Sequence, residues 1–125
     1  MAVFDSNILI YHLDDALPPD ARDQVDTLIV NGAAISVITH IEVLGFPMTA
    51  DARQQAEDLL AQFDETPLQE AIVQRTIALR QQHRIRLPDA VIAASALERG
   101  VPLVSRNVRD FQGIPGLTLL NPFAP

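Results

Sequence analysis

The sequence predicts an α/β fold: a single domain with a short, mostly parallel sheet at its centre and helices on both faces. Short apolar runs alternate with amphipathic segments, a pattern typical of a parallel sheet covered by helices. A chain of 125 residues is long enough to bury one core. No repeat, long linker or low-complexity tract divides it, so one domain is expected over residues 1–125.

The predicted strands are short apolar runs next to turn residues or charges. The first run stops at Asp5, the second follows Gly32, and the third follows Gly100. These strands are Ala2–Phe4, Ala33–Ser36, Pro102–Ser105 and Leu117–Leu120, the last two being expected to be buried.

The predicted helices carry apolar residues at helical spacing. Asp5 or Ser6 caps the first one, and Gly32 and Gly100 stand at capping positions beyond two others. The third shows a stripe made of Val37, Ile38, Ile41 and Leu44. The six helices are Ser6–Leu13, Asp20–Asn31, Val37–Phe46, Ala50–Asp64, Gln69–Arg84 and Asp89–Arg99.

Composition excludes several classes of protein. The nine basic residues are all arginine, so enzymes that need a lysine in a phosphate loop or a Schiff base are ruled out. The chain has no cysteine and therefore no disulfide or thiolate metal site. Its apolar runs are too short to span a bilayer, and no basic segment precedes the first one. A cytoplasmic protein is expected, with no membrane partner.

Charge is unevenly distributed in this acidic chain, whose net charge is −7. Acids dominate residues 1–74, whereas arginines outnumber acids in residues 75–125. An acidic total disfavours tight non-specific binding of nucleic acid but permits a local phosphate contact.

Four carboxylates stand next to apolar segments. Asp5 ends a strand, Glu42 lies at the border of an apolar helical stripe, Asp89 opens an almost wholly apolar helix, and Asp110 follows a strand. Each also has an ordinary interpretation: a helix cap for Asp5, a solvated rim residue for Glu42, a charge that complements the helix dipole for Asp89, and a turn residue for Asp110.

Together the four acids favour a metal site. The carboxyl ends of parallel strands meet at one edge of a sheet, where ligands bind. Clustered carboxylates repel one another unless a cation compensates them, and hard divalent cations prefer oxygen ligands. His12, His40 and His83 are scattered and show no spacing that favours zinc; surface or packing roles are expected for them.

The chain resembles PIN-domain proteins of the VapC toxin type. The segments that carry the resemblance run in the family's order over essentially the whole chain: "VFDSNILIYHL", "ISVITHIEVLGF", "LPDAVIAASALERGVPLVSRNVRDF" and "IPGLTLLNP". The stretch from Leu87 to Phe111 is the most specific of them. The "IEVLGFP" segment is a variant that keeps the acid but changes its surroundings.

The resemblance implies a Mg²⁺-dependent endoribonuclease, with Mn²⁺ as an alternative metal, that hydrolyses RNA phosphodiester bonds with a metal-activated water. The implied catalytic residues are Asp5, Glu42, Asp89 and Asp110. Asp5 and Asp89 would bind the metal directly, and Glu42 and Asp110 through water. Supporting roles fall to Ser6, Asn7, Ser105 and Asn107.

The resemblance also implies three partners: an RNA substrate, a cognate antitoxin protein and a second copy of the chain in a homodimer. Arg106 and Arg109 flank the predicted site and are the candidates for contacts with the RNA backbone. Arginines 75, 80, 84 and 86 are interpreted as a solvated face. Few residues are aromatic (5%), which disfavours a base-stacking platform.

Other functions remain open or are disfavoured. The alternative within the same fold is a catalytically inactive PIN-like scaffold that binds protein or RNA. Phosphatases of the haloacid-dehalogenase type need a second aspartate two residues after the first, where this chain has Asn7. A dinucleotide-binding enzyme needs a glycine-rich turn after the first strand, and none is present.

Overall fold

Five parallel strands form one sheet in the computed structural model of the chain, which describes residues 1–124. They are β1 (Ala2–Phe4), β2 (Ala33–Ser36), β3 (Asp64–Thr66), β4 (Leu103–Val104) and β5 (Leu119–Leu120). Their order across the sheet is β3-β2-β1-β4-β5, and every neighbouring pair is parallel. The predicted α/β fold is therefore confirmed. Pro125, the last residue of the predicted domain, lies outside the described residues.

Helices cover both faces of this sheet. They are α1 (Ser6–Leu13), α2 (Pro19–Val30), α3 (Val37–Leu44), α4 (Ala50–Leu60), α5 (Glu70–Gln82), α6 (Leu87–Arg99) and α7 (Val108–Phe111). Side chains alternate between the faces of a strand. Phe4 accordingly packs with α1, α2 and α4 on one face, whereas Val3 packs with α5 and α6 on the other.

The order in which the chain adds strands to the sheet reverses at β1. The chain runs from β1 outward to β2 and β3, and then returns to the other side of β1 to form β4 and β5. Phe4 pairs with Val104, so β1 and β4 end at the same level. Ligands of open α/β sheets bind where the strand order reverses, beyond the carboxyl ends. Asp5 and Ser105 directly follow these two strands.

Helix α6 packs against the sheet, and much of its buried side is made of alanines. Ala90, Ala93, Ala94 and Ala96 are fully buried, and the helix contacts both β1 and β2. Gly100 ends it in the left-handed conformation at φ 65°, as predicted from its capping position. This close packing brings the first turn of α6 to the carboxyl edge of the sheet.

Several predicted boundaries were wrong. The fourth helix stops at Leu60 rather than Asp64, because Phe63 turns into the core and the next residues form β3. That strand was not predicted, since two of its three residues are exposed and charged, as an edge strand allows. Asp110 lies in the short helix α7, not in a loop. The last predicted strand, at the other edge, is only half-buried.

The remaining predicted helices were found with ends shifted by up to two residues. The third stops at Leu44 rather than Phe46, and α6 starts at Leu87 instead of Asp89. Within residues 1–124, no helix has the length and apolar character needed to cross a bilayer.

The packing of α6 can be tested by removing a fully buried side chain from it. Replacing Ile92 by Ala should lower the free energy of unfolding by about 2–5 kcal/mol, because it removes apolar contacts and leaves a cavity. Ile77 on α5, which is 45% exposed, is the matched control, and its Ala variant should change stability by much less. Urea unfolding followed by circular dichroism measures both. Equal losses would contradict the described core.

Candidate active site

Asp5 connects the central strand to the first helix. Its backbone is extended, and Oδ1 accepts a 2.8 Å hydrogen bond from the Ser6 N–H at the start of α1. The other carboxylate oxygen, Oδ2, accepts a 2.7 Å hydrogen bond from the Ser105 hydroxyl. Asp5 is therefore a helix cap, as its ordinary interpretation predicts. It also lies at the end of β1, where the strand order reverses.

Ser105 connects Asp5 to the loop after β4. Its fully buried hydroxyl donates to Asp5 and accepts a 2.9 Å hydrogen bond from the Asn107 N–H. The hydroxyl thus fixes both the orientation of the carboxylate and the course of the following loop.

Glu42 projects from α3 and is held by the neighbouring helix. The Ser6 hydroxyl donates a 2.6 Å hydrogen bond to Glu42 Oε1 and lies 3.2 Å from the Thr39 hydroxyl oxygen. A serine hydroxyl has one hydrogen. Since the shorter contact uses it, the hydroxyl of Thr39 supplies the hydrogen between the two hydroxyls. Thr39 is fully buried and was not singled out from the sequence, because one threonine within an apolar helix is usually a packing residue.

The face of α3 that packs into the protein differs from the prediction. The helix buries Thr39 and Val43, whereas Ile41, which was assigned to the apolar stripe, is 60% exposed. Ile41 instead lines the same pocket as Glu42. Periodicity identified the helix correctly but gave the wrong centre for its buried side, because it counted an apolar residue that faces a functional pocket.

The three acids Asp5, Glu42 and Asp89 line a single pocket of about 480 Å³. They come from the end of β1, from α3 and from the first turn of α6. The pocket is completed by the polar and charged residues Ser6, Asn7, Arg86 and Asn107 and by Ile10, Ile41, Gly45 and Phe46. Of the four predicted catalytic acids, these three are brought together by the fold.

Burial and mutual repulsion make two of the acids hard to ionise. Burial raises the pKa of Asp5 from its ordinary value of 3.8 to about 6, and the charges of Asp89 and Glu42 add to the rise against the opposing hydrogen bonds from Ser105 and Ser6. Burial also raises the pKa of Asp89, and the nearby Arg86 opposes that shift. Perturbed carboxylates in a pocket are typical of functional sites.

Asp110 lies at the margin of this group. It is exposed on α7, and its Oδ2 accepts a 2.6 Å hydrogen bond from the Asn107 side-chain amide. Its charge raises the pKa of Asp89, so the two acids are within electrostatic reach. Asp110 is not among the residues that line the pocket.

The two arginines predicted to bind RNA do not line the pocket either. The Arg106 guanidinium lies 4.3 Å from the ring centre of Phe123 and 5.3 Å from that of Tyr11, and it donates a 3.2 Å hydrogen bond to the Tyr11 hydroxyl. Arg109 is exposed on α7. Arg86, which the sequence placed on a solvated helix face, is the arginine that reaches the pocket, because α6 starts earlier than predicted.

Two of the pocket acids could bind a divalent cation, but the acids do not form a closed set of ligands around one point. Within residues 1–124, no three His, Asp or Glu side chains stand close enough to form a preformed metal cluster. Mg²⁺ commonly binds one or two carboxylates and keeps several waters, which matches Asp5 and Asp89. Asn7 also lines the pocket, and its Oδ1 is buried without a hydrogen-bond partner among these residues.

Among residues 1–124, no histidine lines the pocket. His12 contacts Asp26, and His40 contacts Glu65, both outside it. The oxygen-rich lining therefore suits a hard cation rather than zinc.

The chain matches the model of the PIN domain over residues 2–117. It belongs to the PIN-domain family. The predicted resemblance to PIN domains of the VapC type is thereby confirmed for the fold and the family. No curated protein matches the chain.

Solved structures extend the comparison. The PIN domain described above is similar to a chain of a toxin–antitoxin complex from Klebsiella pneumoniae, with 32% identity, a TM-score of 0.76 and 100% of both chains covered. It is also similar to a chain of VapBC-1 from nontypeable Haemophilus influenzae, with 25% identity, a TM-score of 0.80 and 98% of both chains covered. A chain of DNA-bound VapBC from Salmonella typhimurium, at 22% identity and a TM-score of 0.81 over 97% of both chains, shares the fold.

The cost of ionising Asp5 can be measured as a pH-dependent difference in stability. With a pKa of about 6 in the folded chain and 3.8 when unfolded, the folded state binds more protons between these values. Stability therefore falls as pH rises through this range, by about 3 kcal/mol for a rise of this size. Asp5→Asn removes the effect, so the variant should gain stability relative to the wild type as pH rises from 4 to 7.

Urea unfolding in EDTA at several pH values measures this difference, since the other titrating groups are common to both proteins. Adding Mg²⁺ at pH 7.5 should stabilise the wild type more than Asp5→Asn, because a bound cation compensates the ionised carboxylate. A stability difference that does not change with pH would show that Asp5 ionises without penalty.

Proposed function

We propose that this PIN domain is a Mg²⁺- or Mn²⁺-dependent endoribonuclease and the toxin of a toxin–antitoxin pair. The observation that carries the proposal is the shared pocket of Asp5, Glu42 and Asp89, three acids that lie far apart in the sequence. Two of them are difficult to ionise without a cation. Membership of the PIN family and the likeness to a chain of a toxin–antitoxin complex support the same function.

In the proposed reaction, Asp5 and Asp89 would hold the cation, and the residues around them would position water beside the phosphodiester. When bound, the cation supplies positive charge that polarises water and the phosphate. Glu42 uses Oε1 for the Ser6 hydroxyl, which leaves Oε2 to accept a proton from the attacking water. Asn7, which lines the pocket, would help to orient this water through its side-chain amide.

Attack by water in line with the departing 3′-oxygen would break the P–O3′ bond. The products would be a 5′-phosphate and a 3′-hydroxyl: Glu42 would take the proton of the attacking water, and the departing 3′-oxygen would take a proton from solvent. Asp110, which accepts a hydrogen bond from the Asn107 side chain, would act through water from the margin of the site.

Replacing a metal-binding acid tests this assignment. Asp5→Asn and Asp89→Asn should each lower the cleavage rate about 10³-fold or more, equivalent to about 4 kcal/mol in the barrier. The variants should keep the circular dichroism spectrum of the wild type. Sequencing of 5′ ends after incubation of purified cellular RNA with Mg²⁺ maps the cuts, and a synthetic RNA that spans a mapped cut gives the rates.

Asp64→Asn is the matched control, since Asp64 is an exposed acid on β3 outside the pocket. It should cleave at the wild-type rate. If Asp5→Asn cleaves as fast as this control, the site assignment is wrong. If the wild type cuts no RNA with either metal, the proposal gives way to the non-catalytic scaffold.

The rim of the pocket supports a protein partner. Ile41 and Phe46 line it and are 60% and 51% exposed, and large exposed apolar side chains beside a binding site are typical of interaction surfaces. The acids next to them suit a partner segment that carries basic residues. We therefore propose that a cognate antitoxin covers this pocket. On the resemblance to VapC-type proteins alone, we also propose that the domain forms a homodimer in the cytoplasm.

Co-expression with the product of a neighbouring small reading frame, where the gene has one, tests the antitoxin. We expect the two proteins to copurify, and Phe46→Asp to release the antitoxin because the substitution replaces an apolar contact by a charge that binding would bury. Size-exclusion chromatography with light scattering at tens of micromolar should give the mass of a dimer for the isolated domain. Copurification of Phe46→Asp at the wild-type ratio would exclude Phe46 from the interface, and a monomer mass would exclude the homodimer.

A further inference from the structure

Arg86 is the one positively charged side chain that lines the acidic pocket within residues 1–124. It immediately precedes α6 in an extended conformation, and its side chain makes no capping hydrogen bond to the helix. Its Nε donates to Asp89 Oδ2 at 3.4 Å. Arg106, by contrast, is engaged with two aromatic rings, and Arg109 lies outside the pocket.

The contact between Arg86 and Asp89 is asymmetric. The side chain of Arg86 is 77% exposed, whereas that of Asp89 is only 10% exposed. A single long contact to an exposed guanidinium contributes little to stability, about 0–1 kcal/mol. Arg86 can therefore leave at small cost, while Asp89 cannot lose its counter-charge without a replacement. A divalent cation bound to Asp89 is such a replacement.

A substrate phosphate needs positive charge in the same place. Without it, an RNA strand that enters the pocket meets Asp5, Glu42 and Asp89. The guanidinium of arginine presents a planar fork of N–H donors that matches phosphate oxygens. Arg86 stands beside the acids on a flexible, exposed side chain, within the pocket that the phosphate must occupy.

We propose that Arg86 exchanges one anion for another: it pairs with Asp89 in the cation-free protein, and it binds the RNA phosphodiester once a cation has taken its place on Asp89. This inference rests on the proposed ribonuclease function and extends it. Cation binding then prepares the pocket for substrate in two ways, since it neutralises the acids and releases the residue that binds the phosphate.

The exchange predicts opposite effects of one substitution on two affinities. Arg86→Gln removes the group that competes with the cation, so the affinity for Mn²⁺ without RNA should rise, by up to about fivefold. The same change removes a charged hydrogen-bond donor to phosphate, so KM for RNA should rise about tenfold or more. A residue that only supported the fold would lower both affinities.

Three variants make the test specific. Arg86→Gln is compared with Arg86→Lys, which keeps the charge but lacks the planar fork, and with Arg84→Gln. Arg84 is exposed two residues away, outside the pocket, and makes no ion pair within residues 1–124. Calorimetric titration with Mn²⁺ gives the cation affinity, and cleavage of the synthetic RNA gives KM and kcat. Circular dichroism and the melting temperature in EDTA establish that each variant folds.

We expect Arg86→Gln to bind Mn²⁺ more tightly and RNA more weakly, Arg86→Lys to bind Mn²⁺ as the wild type does with an intermediate KM, and Arg84→Gln to match the wild type in both. The inference is overturned if Arg86→Gln and Arg84→Gln give the same two constants, or if Arg86→Gln weakens both. Should Arg86→Gln fail to fold, an unchanged KM in Arg86→Lys overturns the inference.

The failure of the proposed function has a different signature. In that case the wild type itself cuts no RNA, and the phosphate-binding role of Arg86 falls with it. The Mn²⁺ titration of Arg86→Gln still decides the competition for Asp89, because it needs no RNA.

Discussion

The organisation of this protein depends on keeping a carboxylate out of water at the end of the central strand. Asp5 is buried, and among residues 1–124 only two hydrogen bonds, one from a backbone N–H and one from Ser105, offset the loss of its hydration. Two further acids lie in the same pocket and add repulsion. A site of this kind is unfavourable by itself, and it becomes favourable when a cation enters it.

The fold positions these acids through rigid elements. Reversal of the strand order at β1 sets Asp5 beside Ser105, and the alanine-rich face of α6 lets the first turn of that helix, with Asp89, approach the sheet. Glu42 reaches the pocket from the exposed side of α3, where the buried hydroxyls of Ser6 and Thr39 restrain it. Residues held by packed helices and strands keep their geometry better than residues on loops.

Much of this arrangement could be predicted from the sequence, because it depends on local patterns. The alternation of apolar runs and helices predicted the parallel sheet, and the position of acids next to apolar segments identified Asp5, Glu42 and Asp89 as candidates. Features that depend on tertiary packing could not be predicted from local patterns. Strand β3 was missed because its sequence is polar, as suits a strand at the edge of the sheet. Ile41 was assigned to the buried side of its helix because it is apolar, but it lines the pocket. Arg86 resembles its exposed neighbours until the start of α6 is known.

The engagement of Arg106 with Tyr11 and Phe123 ties the last described residues of the chain to α1, one turn beyond Asn7 of the pocket. Phe123 follows β5, so a segment fused at this terminus would begin on the side of the sheet where Asp5 lies, at the carboxyl ends of the strands. A polyhistidine tag placed there would add competing metal ligands on the same side of the sheet as the carboxylates. Met1 precedes β1 at the opposite edge of the sheet, so purification handles are better attached at that terminus.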